Sequence, residues 1–318
     1  MRHLFFFVLS VSLISCNTGD FDSFSEVNIE NVFEDSLSIR AIAPLDADRV
    51  WFAANRGVVG LIDHQTPKLA TIRYQDSLLQ FRSIAAIKDA VFVLSIANPG
   101  VLYKIGFNGT EATSIEEVYV EKGEKVFYDA LRFWNEKEGI AMGDPTDDCL
   151  SILITKDGGE SWEKVPCNAL PKVASGEAAF AASNSNISIR GDKVWIVSGG
   201  KKSRVFYSGD KGANWEVFDT PIVQGKAMTG IYSVDFFDEK VGIVFGGNWD
   251  EKEFNEGNKA LTTDGGRSWK LLSNGAGPGY RSSVRFVPGT QGEGIVAVGS
   301  PGISYSACLL YTSDAADE

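Results

Sequence analysis

One eight-residue pattern occurs three times and constrains the fold of this chain more than any other feature. The copies run from Thr155 to Trp162, from Ser208 to Trp215 and from Thr262 to Trp269, and each reads Ser/Thr-x-Asp-x-Gly-x-x-Trp. The hydroxyl and the carboxylate of such a sequence can accept hydrogen bonds from backbone N–H groups of their own turn, and the Gly can adopt a positive φ. The Trp then supplies a large apolar side chain at the start of the next strand. Each copy therefore predicts a structural hairpin turn.

The spacing of the turns predicts a repeat architecture. Their Asp residues, 157, 210 and 264, lie 53 and 54 positions apart. The residues that define the turns are Asp157, Gly159, Trp162, Asp210, Gly212, Trp215, Asp264, Gly266 and Trp269. Repeats of this length with several short strands are typical of propeller blades.

Six units can be traced, each opening with an apolar strand that is followed by a second β-rich strand and a loop of small residues. The predicted opening strands are Ile39–Ile42, Phe81–Ile84, Tyr128–Leu131, Ala178–Phe180, Ile231–Val234 and Tyr280–Val284. Units one and two lack the repeated turn, and no segment has sustained helical periodicity. We predict an all-β fold, a β-propeller of four-stranded blades with six blades visible and six or seven when complete.

The repeated turn resembles the Asp box, or BNR repeat, and the chain is similar to Asp-box β-propellers over residues 35–306. That superfamily includes sialidases and non-enzymatic propellers similar to the photosystem II stability/assembly factor. Four segments look like a bacterial BNR-like family whose members carry conflicting labels (glycosyl hydrolase, oxidoreductase, assembly-factor-like). They are Gly143–Pro145, Gly176–Ser183, Arg204–Ser208 and Gly279–Ser282. The resemblance implies the fold and does not choose an activity.

The N-terminus has the form of an export signal. A basic start, Met1-Arg2-His3, precedes an apolar run from Leu4 to Ile14 that is too short to span a bilayer. The run ends in Leu13-Ile14-Ser15-Cys16, which resembles the bacterial lipobox and implies cleavage before Cys16 and lipidation of Cys16. An ordinary secretory signal is the alternative. We predict a signal peptide at 1–16, a tether at 17–34, and a lipid-anchored protein of the bacterial cell envelope, periplasmic or surface-facing.

The net charge limits the partners expected for this chain, and the positions of two cysteines predict a disulfide. The net charge of −12 argues against nucleic acid as a partner. Cys149 and Cys167 flank the first turn symmetrically, so we predict a structural disulfide, with a reactive pair as the alternative.

The C-terminus departs from the repeat. Gly302–Ser306 leads toward a fourth copy of the turn, but Cys308 and Ser313 stand where Asp and Trp are expected. The stretch from Cys308 to Glu318 is predicted to fit no strand of the sixth blade, and it looks like translated adapter read-through. We therefore expect a propeller at 35–306 that is truncated in its last blade, and a non-native tail at 307–318.

Candidate ligand-binding residues belong to the loops opposite the repeated turns, around the propeller axis. They are Asp144, Glu177, Arg204, Asp250, Tyr280, Arg281, Arg82 and Arg40, with Asp147, Asp148 and Asn248 in the same loops. Several Arg side chains that converge with carboxylates and a Tyr can bind an anionic ligand bidentately. Salt bridges that tie neighbouring blades together are the alternative for each residue.

Three functions compete on this evidence. The first is a binding or assembly module of the envelope that docks a protein or a glycan. The second is a glycoside hydrolase of sialidase type. Asp144 with either Glu177 or Asp250 could instead serve as the carboxylate pair of a different hydrolase. However, Phe81–Ile84 and Ile39–Pro44 lack the Ile-Pro that follows Arg in the sialidase motif.

The third function is a redox enzyme, which no residue of the sequence supports. The sequence has no Gly-x-Gly-x-x-Gly before a helix and no Cys-x-x-Cys-His. A Ca²⁺ site at Asp147 and Asp148 is less favoured than a surface turn. We predict no cofactor and no metal, and the sequence favours the binding module over the enzyme.

Overall fold

The structure is a computed structural model that describes residues 28–308 and the backbone of residues 311–314. The predicted signal peptide, Cys16 and most of the predicted tether lie outside this part of the chain. Within it, strands dominate and a single short 3₁₀ helix spans Cys167–Ala169. No helix among the described residues is long and apolar enough to cross a membrane.

The strands form six blades of four antiparallel strands each, in chain order from the inner to the outer strand. Blade one contains β1 Ile39–Pro44, β2 Arg49–Ala54, β3 Val58–Asp63 and β4 Thr66–Thr71; blade two contains β5 Phe81–Ala86, β6 Ala90–Ser95, β7 Gly100–Asn108 and β8 Glu111–Glu121. Blade three contains β9 Tyr128–Phe133, β10 Gly139–Gly143, β11 Ser151–Thr155 and β12 Glu163–Lys164. Two further short strands, β13 Glu177–Ala178 and β16 Gly199–Gly200, lie beside the later blades.

The remaining blades repeat the same order. Blade four contains β14 Ile187–Arg190, β15 Lys193–Val197, β17 Arg204–Ser208 and β18 Glu216–Asp219; blade five contains β19 Thr229–Phe236, β20 Gly242–Asn248, β21 Lys259–Thr262 and β22 Lys270–Leu271. Blade six contains β23 Ser283–Phe286, β24 Ile295–Gly299, β25 Gly302–Cys308 and β26 Tyr311–Asp314. The predicted all-β propeller of six four-stranded blades is confirmed.

The predicted opening strand of blade four is wrong. Ala178–Phe180 is not the inner strand of that blade, because Ile187–Arg190 pairs with β15 in this position. Instead β13 pairs with β16, and β16 pairs with β19 of blade five, so the sheet of blade five has six strands. The residues between β13 and β14 run along the propeller axis, and a local apolar pattern does not reveal that path.

The prediction that the stretch from Cys308 to Glu318 contains no strand of the sixth blade is also wrong. β25 extends to Cys308, and β26 pairs with β25 as the outer strand. A ladder is held together by backbone N–H and C=O groups, so it does not require the Asp and Trp that this copy of the turn lacks. The non-native origin of residues 307–318 stays a prediction.

Apolar clusters fill the spaces between five successive pairs of blades. Between blades four and five, Trp195 stacks on Phe236 with ring centroids 3.7 Å apart, and both side chains are fully buried. On the opposite side of blade one, Phe33 from the end of the predicted tether stacks on Phe52 at 5.5 Å. The blades are therefore joined by side-chain packing between sheets.

The three repeated turns have the hydrogen bonds that the sequence predicts. In the third copy, Gly266 N donates to Thr262 Oγ1 at 2.9 Å and Ser268 N donates to Asp264 Oδ1 at 2.9 Å. Gly266 has a φ of 87°. Partial desolvation opposes ionisation of Asp264, but bonds from Ser268 and backbone N–H groups lower its pKa to about 2.

The other two copies share this arrangement. Gly159 and Gly212 donate to the first hydroxyl of their turns at 3.0 and 2.8 Å, and their φ values are 76° and 85°. The pKa values of Asp157 and Asp210 are also lowered. Each Trp immediately precedes the outer strand of its blade. All three turns are therefore structural corners.

A disulfide joins Cys149 to Cys167, whose Cα atoms are 5.6 Å apart. It links the loop before β11 to the residue that begins the 3₁₀ helix after β12. Closing a loop of this kind restricts the unfolded chain and typically stabilises a fold by about 2–4 kcal/mol.

Candidate functional site

The inner strands of four blades share a β-bulge near their beginning. In β1, β5, β9 and β19 the register skips one residue, and the skipped residues are Arg40, Arg82, Asp129 and Tyr232. A bulge leaves its extra residue outside the ladder and can direct its side chain away from the sheet. Three of the four, Arg40, Arg82 and Tyr232, line one cavity.

This axis cavity has a volume of about 460 Å³. It lies at the ends of blades opposite the repeated turns, because the turns contact the connection between the first two strands: Gly158 N, for example, donates to Lys137 O. Its lining residues are Arg40, Arg82, Phe127, Asp144, Ala178–Ala182, Ala227, Met228, Tyr232, Trp249 and Tyr280.

The segment 178–186, here called the axis segment, closes the floor of the cavity. Asn184 donates through its side chain to Ile84 O of blade two at 2.7 Å and accepts from Leu131 N of blade three at 2.9 Å. Ser185 O accepts from Val234 N of blade five at 2.9 Å. The axis segment therefore bonds to blades on several sides of the propeller axis.

One side of the cavity is an aromatic wall. Phe180 stacks on Tyr232 with centroids 3.9 Å apart and planes 6° apart. Tyr280 meets Tyr232 edge to face at 4.7 Å, and Trp249 meets Tyr280 at 5.4 Å. Such contacts fix ring orientation and contribute about 1 kcal/mol each beyond burial. The wall is rigid and presents flat apolar surface.

Two arginine side chains, Arg40 and Arg82, also line the cavity. Arg82 donates to Ala181 O at 3.3 Å. Within the described chain, neither Arg40 nor Arg82 has a carboxylate at salt-bridge distance. Burial lowers the pKa of Arg82, and the nearby charge of Arg40 lowers it further. Two guanidinium groups that repel each other therefore face the same cavity.

Two carboxyl groups lie beside Arg82. Burial raises the pKa of Asp144 to about 6, although Ala179 N donates to its Oδ1 at 2.7 Å. Asp129 is fully buried, and neither carboxylate oxygen has a hydrogen-bond partner among the described residues. Its burial, together with the charge of Asp144, raises the pKa of Asp129 well above the usual value. Ionisation of these two aspartates is therefore less favourable than it is for an aspartate in water.

The structure brings together four of the predicted residues, Arg40, Arg82, Asp144 and Tyr280. Glu177 and Arg204 lie outside the cavity lining and form a buried ion pair, with Arg204 Nε donating to Glu177 Oε1 at 2.9 Å. This pair joins β13 to β17, the structural alternative considered for it.

The other predicted residues also lie outside the cavity. Arg281 is buried within blade six and donates to Ser304 Oγ at 2.8 Å. Asp250 is exposed, and Asn248 is buried and donates to Glu251 at 3.1 Å. Asp147 and Asp148 are exposed, and Asp148 pairs with Lys172. Among residues 28–308, no cluster of three His, Cys, Asp or Glu is arranged to hold a metal ion.

Several residues of the site were not predicted, and the clearest are Asp129 and Tyr232. Both occupy the same place in the aligned opening strands as Arg40 and Arg82, two positions before an apolar residue that faces the core. The alignment of the opening strands was the sequence signal that could have identified Asp129 and Tyr232. Phe180, Met228 and Trp249 lie in loops, where the sequence offered no such signal.

Comparisons with known proteins add the fold and nothing finer. No model of a known protein family matches the chain, and no curated protein sequence matches it. A chain of the mitotic checkpoint complex matches with a TM-score of 0.58 and 9% identity over 86% of this chain and 75% of that chain. A GH74 xyloglucanase from Xanthomonas campestris matches with a TM-score of 0.57 and 15% identity over 85% of this chain and 45% of that one.

A third structure, YCF48 bound to D1 peptide, matches with a TM-score of 0.43 and 15% identity over 84% of this chain and 92% of that chain. At such identities a likeness reports the fold and carries no activity. The chain thus shares the β-propeller fold with proteins of unrelated names, and its function has to be argued from the residues of its own axis cavity.

Proposed function

We propose that this protein is an Asp-box β-propeller of the bacterial cell envelope that binds an anionic ligand in the axis cavity, as a binding or assembly module rather than an enzyme. The observation that carries the proposal is the pair of guanidinium groups, Arg40 and Arg82, that face the cavity without a carboxylate partner in the described chain. Bringing a bound anion between them would remove their mutual repulsion and allow bidentate hydrogen bonds.

The aromatic wall supports a ligand with an apolar part. Phe180 and Trp249 are partly exposed and belong to a wall of four aromatic rings in contact. The cavity volume of about 460 Å³ lies within the range of small-ligand sites, which is roughly 300–1,000 Å³. An end of a glycan or of a polypeptide that carries an acidic group fits both the two arginines and the aromatic wall.

Binding is favoured over hydrolysis by the supply of carboxylates. Asp144 is the single carboxylate among the described residues that line the cavity, and glycoside hydrolysis of the usual kind requires two. Asp129 is fully buried, and Glu177 is occupied by Arg204. The alternative, a glycoside hydrolase, is favoured by one observation: the pKa of Asp144, raised to about 6, suits a general acid.

The location belongs to the same proposal. The lipobox-like sequence at Cys16 supports a lipid anchor, and Phe33 docks the end of the tether onto blade one. An envelope protein or glycan is the proposed partner, the membrane contact is through the lipid, and the net charge of −12 disfavours nucleic acid.

The test is a binding measurement on residues 17 to the C-terminus with a panel of acidic and neutral oligosaccharides and acidic peptides. We expect an acidic member to bind and Arg82→Ala to weaken binding at least tenfold, with a steep dependence on salt. Arg73→Ala is the matched control, because Arg73 is exposed in the connection between blades one and two. Binding that is equal in the Arg82 and Arg73 variants would remove the axis cavity from the proposal.

The same panel, as fluorogenic glycosides, tests the alternative. Turnover that Asp144→Asn abolishes and Arg73→Ala leaves unchanged would make the protein a hydrolase. Binding without turnover supports the binding module.

A further inference from the structure

A second cavity lies between the outer halves of blades one and two and is independent of the axis cavity. This blade one–two groove has a volume of about 190 Å³. Its walls are mostly apolar and come from both blades: Trp51, Val59, Leu61, Leu69, Ala70, Ile72, Ile105, Ala112 and Ile115, with Lys68, Thr110 and Glu111 at polar positions. Leu69 and Ile115 are 49% and 51% exposed, so the groove leaves large apolar side chains open to water.

Blades four and five show how this chain completes the equivalent space elsewhere. Trp195, in the second strand of blade four, donates its indole N–H to Gly265 O in the repeated turn of blade five at 2.8 Å. A Cβ placed on Gly266 would lie 3.0 Å from the Trp195 indole, so the turn packs directly on the ring. Trp269, the last residue of that turn, packs against the same interface cluster.

Blade one has the same tryptophan, but Phe107 of blade two packs on it in place of a repeated turn, with ring centroids 5.5 Å apart. Trp51 lies in the second strand of blade one and packs into the cluster between blades one and two. Blade two has no repeated turn, and the buried indole N–H of Trp51 has no hydrogen-bond partner among the described residues. An unpaired buried donor is unfavourable by about 1–3 kcal/mol.

The apolar residue that lies beside the end of the third strand, which is the tryptophan of the repeated turn in blade three, is also different in blade two. In blade three, Trp162 lies directly before Glu163, which pairs with Ile154, so Trp162 stands beside the end of the third strand at Thr155. In blade two the residue opposite the corresponding third-strand position, Ile105, is Ile115. An isoleucine fills less space than an indole, and the groove is the space that remains.

We propose that the blade one–two groove docks a partner polypeptide that inserts a large aromatic side chain, tryptophan above all. The partner would supply the apolar side chain that the tryptophan of the repeated turn supplies to the interfaces of blades three to five. The outer strand β8 beside the groove carries exposed Glu111, Glu116 and Glu117, of which Glu111 pairs with Lys68 at 3.0 Å. Charge complementarity therefore assigns basic residues to the flanks of the inserted side chain.

The experiment uses the blocked peptide acetyl-Lys-Gly-Trp-Gly-Lys-amide and its counterpart with Ala in place of Trp. Each is titrated into the protein and followed by NMR of indole N–H and isoleucine methyl groups. We expect the Trp peptide to shift the Trp51 indole N–H resonance and the methyl groups of Ile105 and Ile115, and to bind at least tenfold more tightly than the Ala peptide. Equal shifts with both peptides, or none at millimolar peptide, would overturn the proposal.

Two variants separate docking in the groove from adhesion to exposed apolar residues in general. Ile115→Trp places an indole of the chain itself in the groove and is expected to reduce peptide affinity at least tenfold. Val298→Trp, at a residue 42% exposed on blade six, is the matched control and should bind as the unmodified protein does. Full peptide binding to folded Ile115→Trp would also overturn the proposal. Because Arg82 lies in the axis cavity, Arg82→Ala should leave this binding unchanged.

Discussion

The aspartates at the two ends of the blades differ in what surrounds their carboxylates. In the repeated turns, Asp157, Asp210 and Asp264 accept hydrogen bonds from backbone N–H groups and hydroxyls, and the pKa of each is lowered. At the axis cavity, Asp129 and Asp144 are desolvated with few donors, and the pKa of each is raised. The same side chain stabilises the fold at one end and opposes it at the other.

This difference separates residues that hold the fold from candidates for function. A turn aspartate is ionised at neutral pH, and the hydrogen bonds that it accepts stabilise this charged form. Its role is therefore to hold the conformation of the turn. An unsatisfied carboxyl beside guanidinium groups that have no carboxylate partner in the described chain is a local loss of stability, and such losses cluster at sites that act on something else. The direction of each pKa shift therefore distinguishes the two regions better than residue type does.

The largest expected effects are changes in the free energy of unfolding, and they have opposite signs in the two regions. Asp264→Ala should lower the free energy of unfolding by about 2 kcal/mol, because the N–H groups of Arg267 and Ser268 lose a charged acceptor. Asp129→Asn should raise it by about 1 kcal/mol at pH 7, because the amide carries no charge that burial penalises. Urea denaturation of both variants measures this, and a loss of stability in Asp129→Asn would break the comparison.

The pH dependence of stability gives a second test of the difference between the two groups of aspartates. The folded-state pKa of Asp264, about 2, lies below the usual 3.8, so its contribution is present above about pH 4 and is lost as the pH falls toward 2. The pKa of Asp144, about 6, lies above 3.8, so its contribution is present below about pH 4 and is lost as the pH rises through 6.

Denaturation measured from pH 2 to 7 should therefore show that Asp264→Asn removes part of the rise between pH 2 and 4. Asp144→Asn should instead remove part of the fall between pH 4 and 6, and should leave the acid limb unchanged. An acid limb that changes in Asp144→Asn would contradict the assignment of the two limbs to the two regions.

The smallest expected effect concerns a blade without the turn. Ile115→Trp should raise the free energy of unfolding by about 0.5–1.5 kcal/mol, because the indole fills the blade one–two groove and covers exposed apolar surface. The measurement is again urea denaturation, with Val298→Trp as the control that gains an indole on an open surface. Equal changes in both variants would mean that the groove is not the space that a tryptophan fills in blades three to five.

The sequence predicts most of the fold because its strongest signal is local and repeated. A turn that recurs at a fixed spacing in blades three to five gives the length of a blade, and four of the six predicted opening strands lie within the observed inner strands. In blade six the inner strand is Ser283–Phe286, which shares only its first two residues with the predicted Tyr280–Val284. In blade four the prediction is wrong: Ala178–Phe180 is apolar because it lines the axis, whereas Ile187–Arg190, which alternates between apolar and polar residues, is the strand. An axis exists only in the assembled ring, so no window of sequence shows it.

The candidate site is predicted in part for a related reason. Arg82 precedes the core residue Ile84 by two positions, Arg40 precedes the exposed Ile42 at the matching place, and both Arg side chains reach the cavity. Arg281 precedes Val284 by three and lies before the strand Ser283–Phe286, and its side chain is buried in blade six. Side chains alternate between the two faces of a strand, so a one-residue slip reverses their direction. Counting from the core residue also finds Asp129 and Tyr232.

The strand shared by blades four and five affects how such a ring could be rebuilt. Only Ser198 separates β15, which pairs within blade four, from β16, which pairs with the sheet of blade five. A genetic deletion or duplication of one blade at this boundary would cut through both sheets. Between blades two and three the described strands belong to separate sheets, and the same event would leave each sheet whole. A rearrangement that takes blade four or blade five alone would therefore break strand pairing in the other blade.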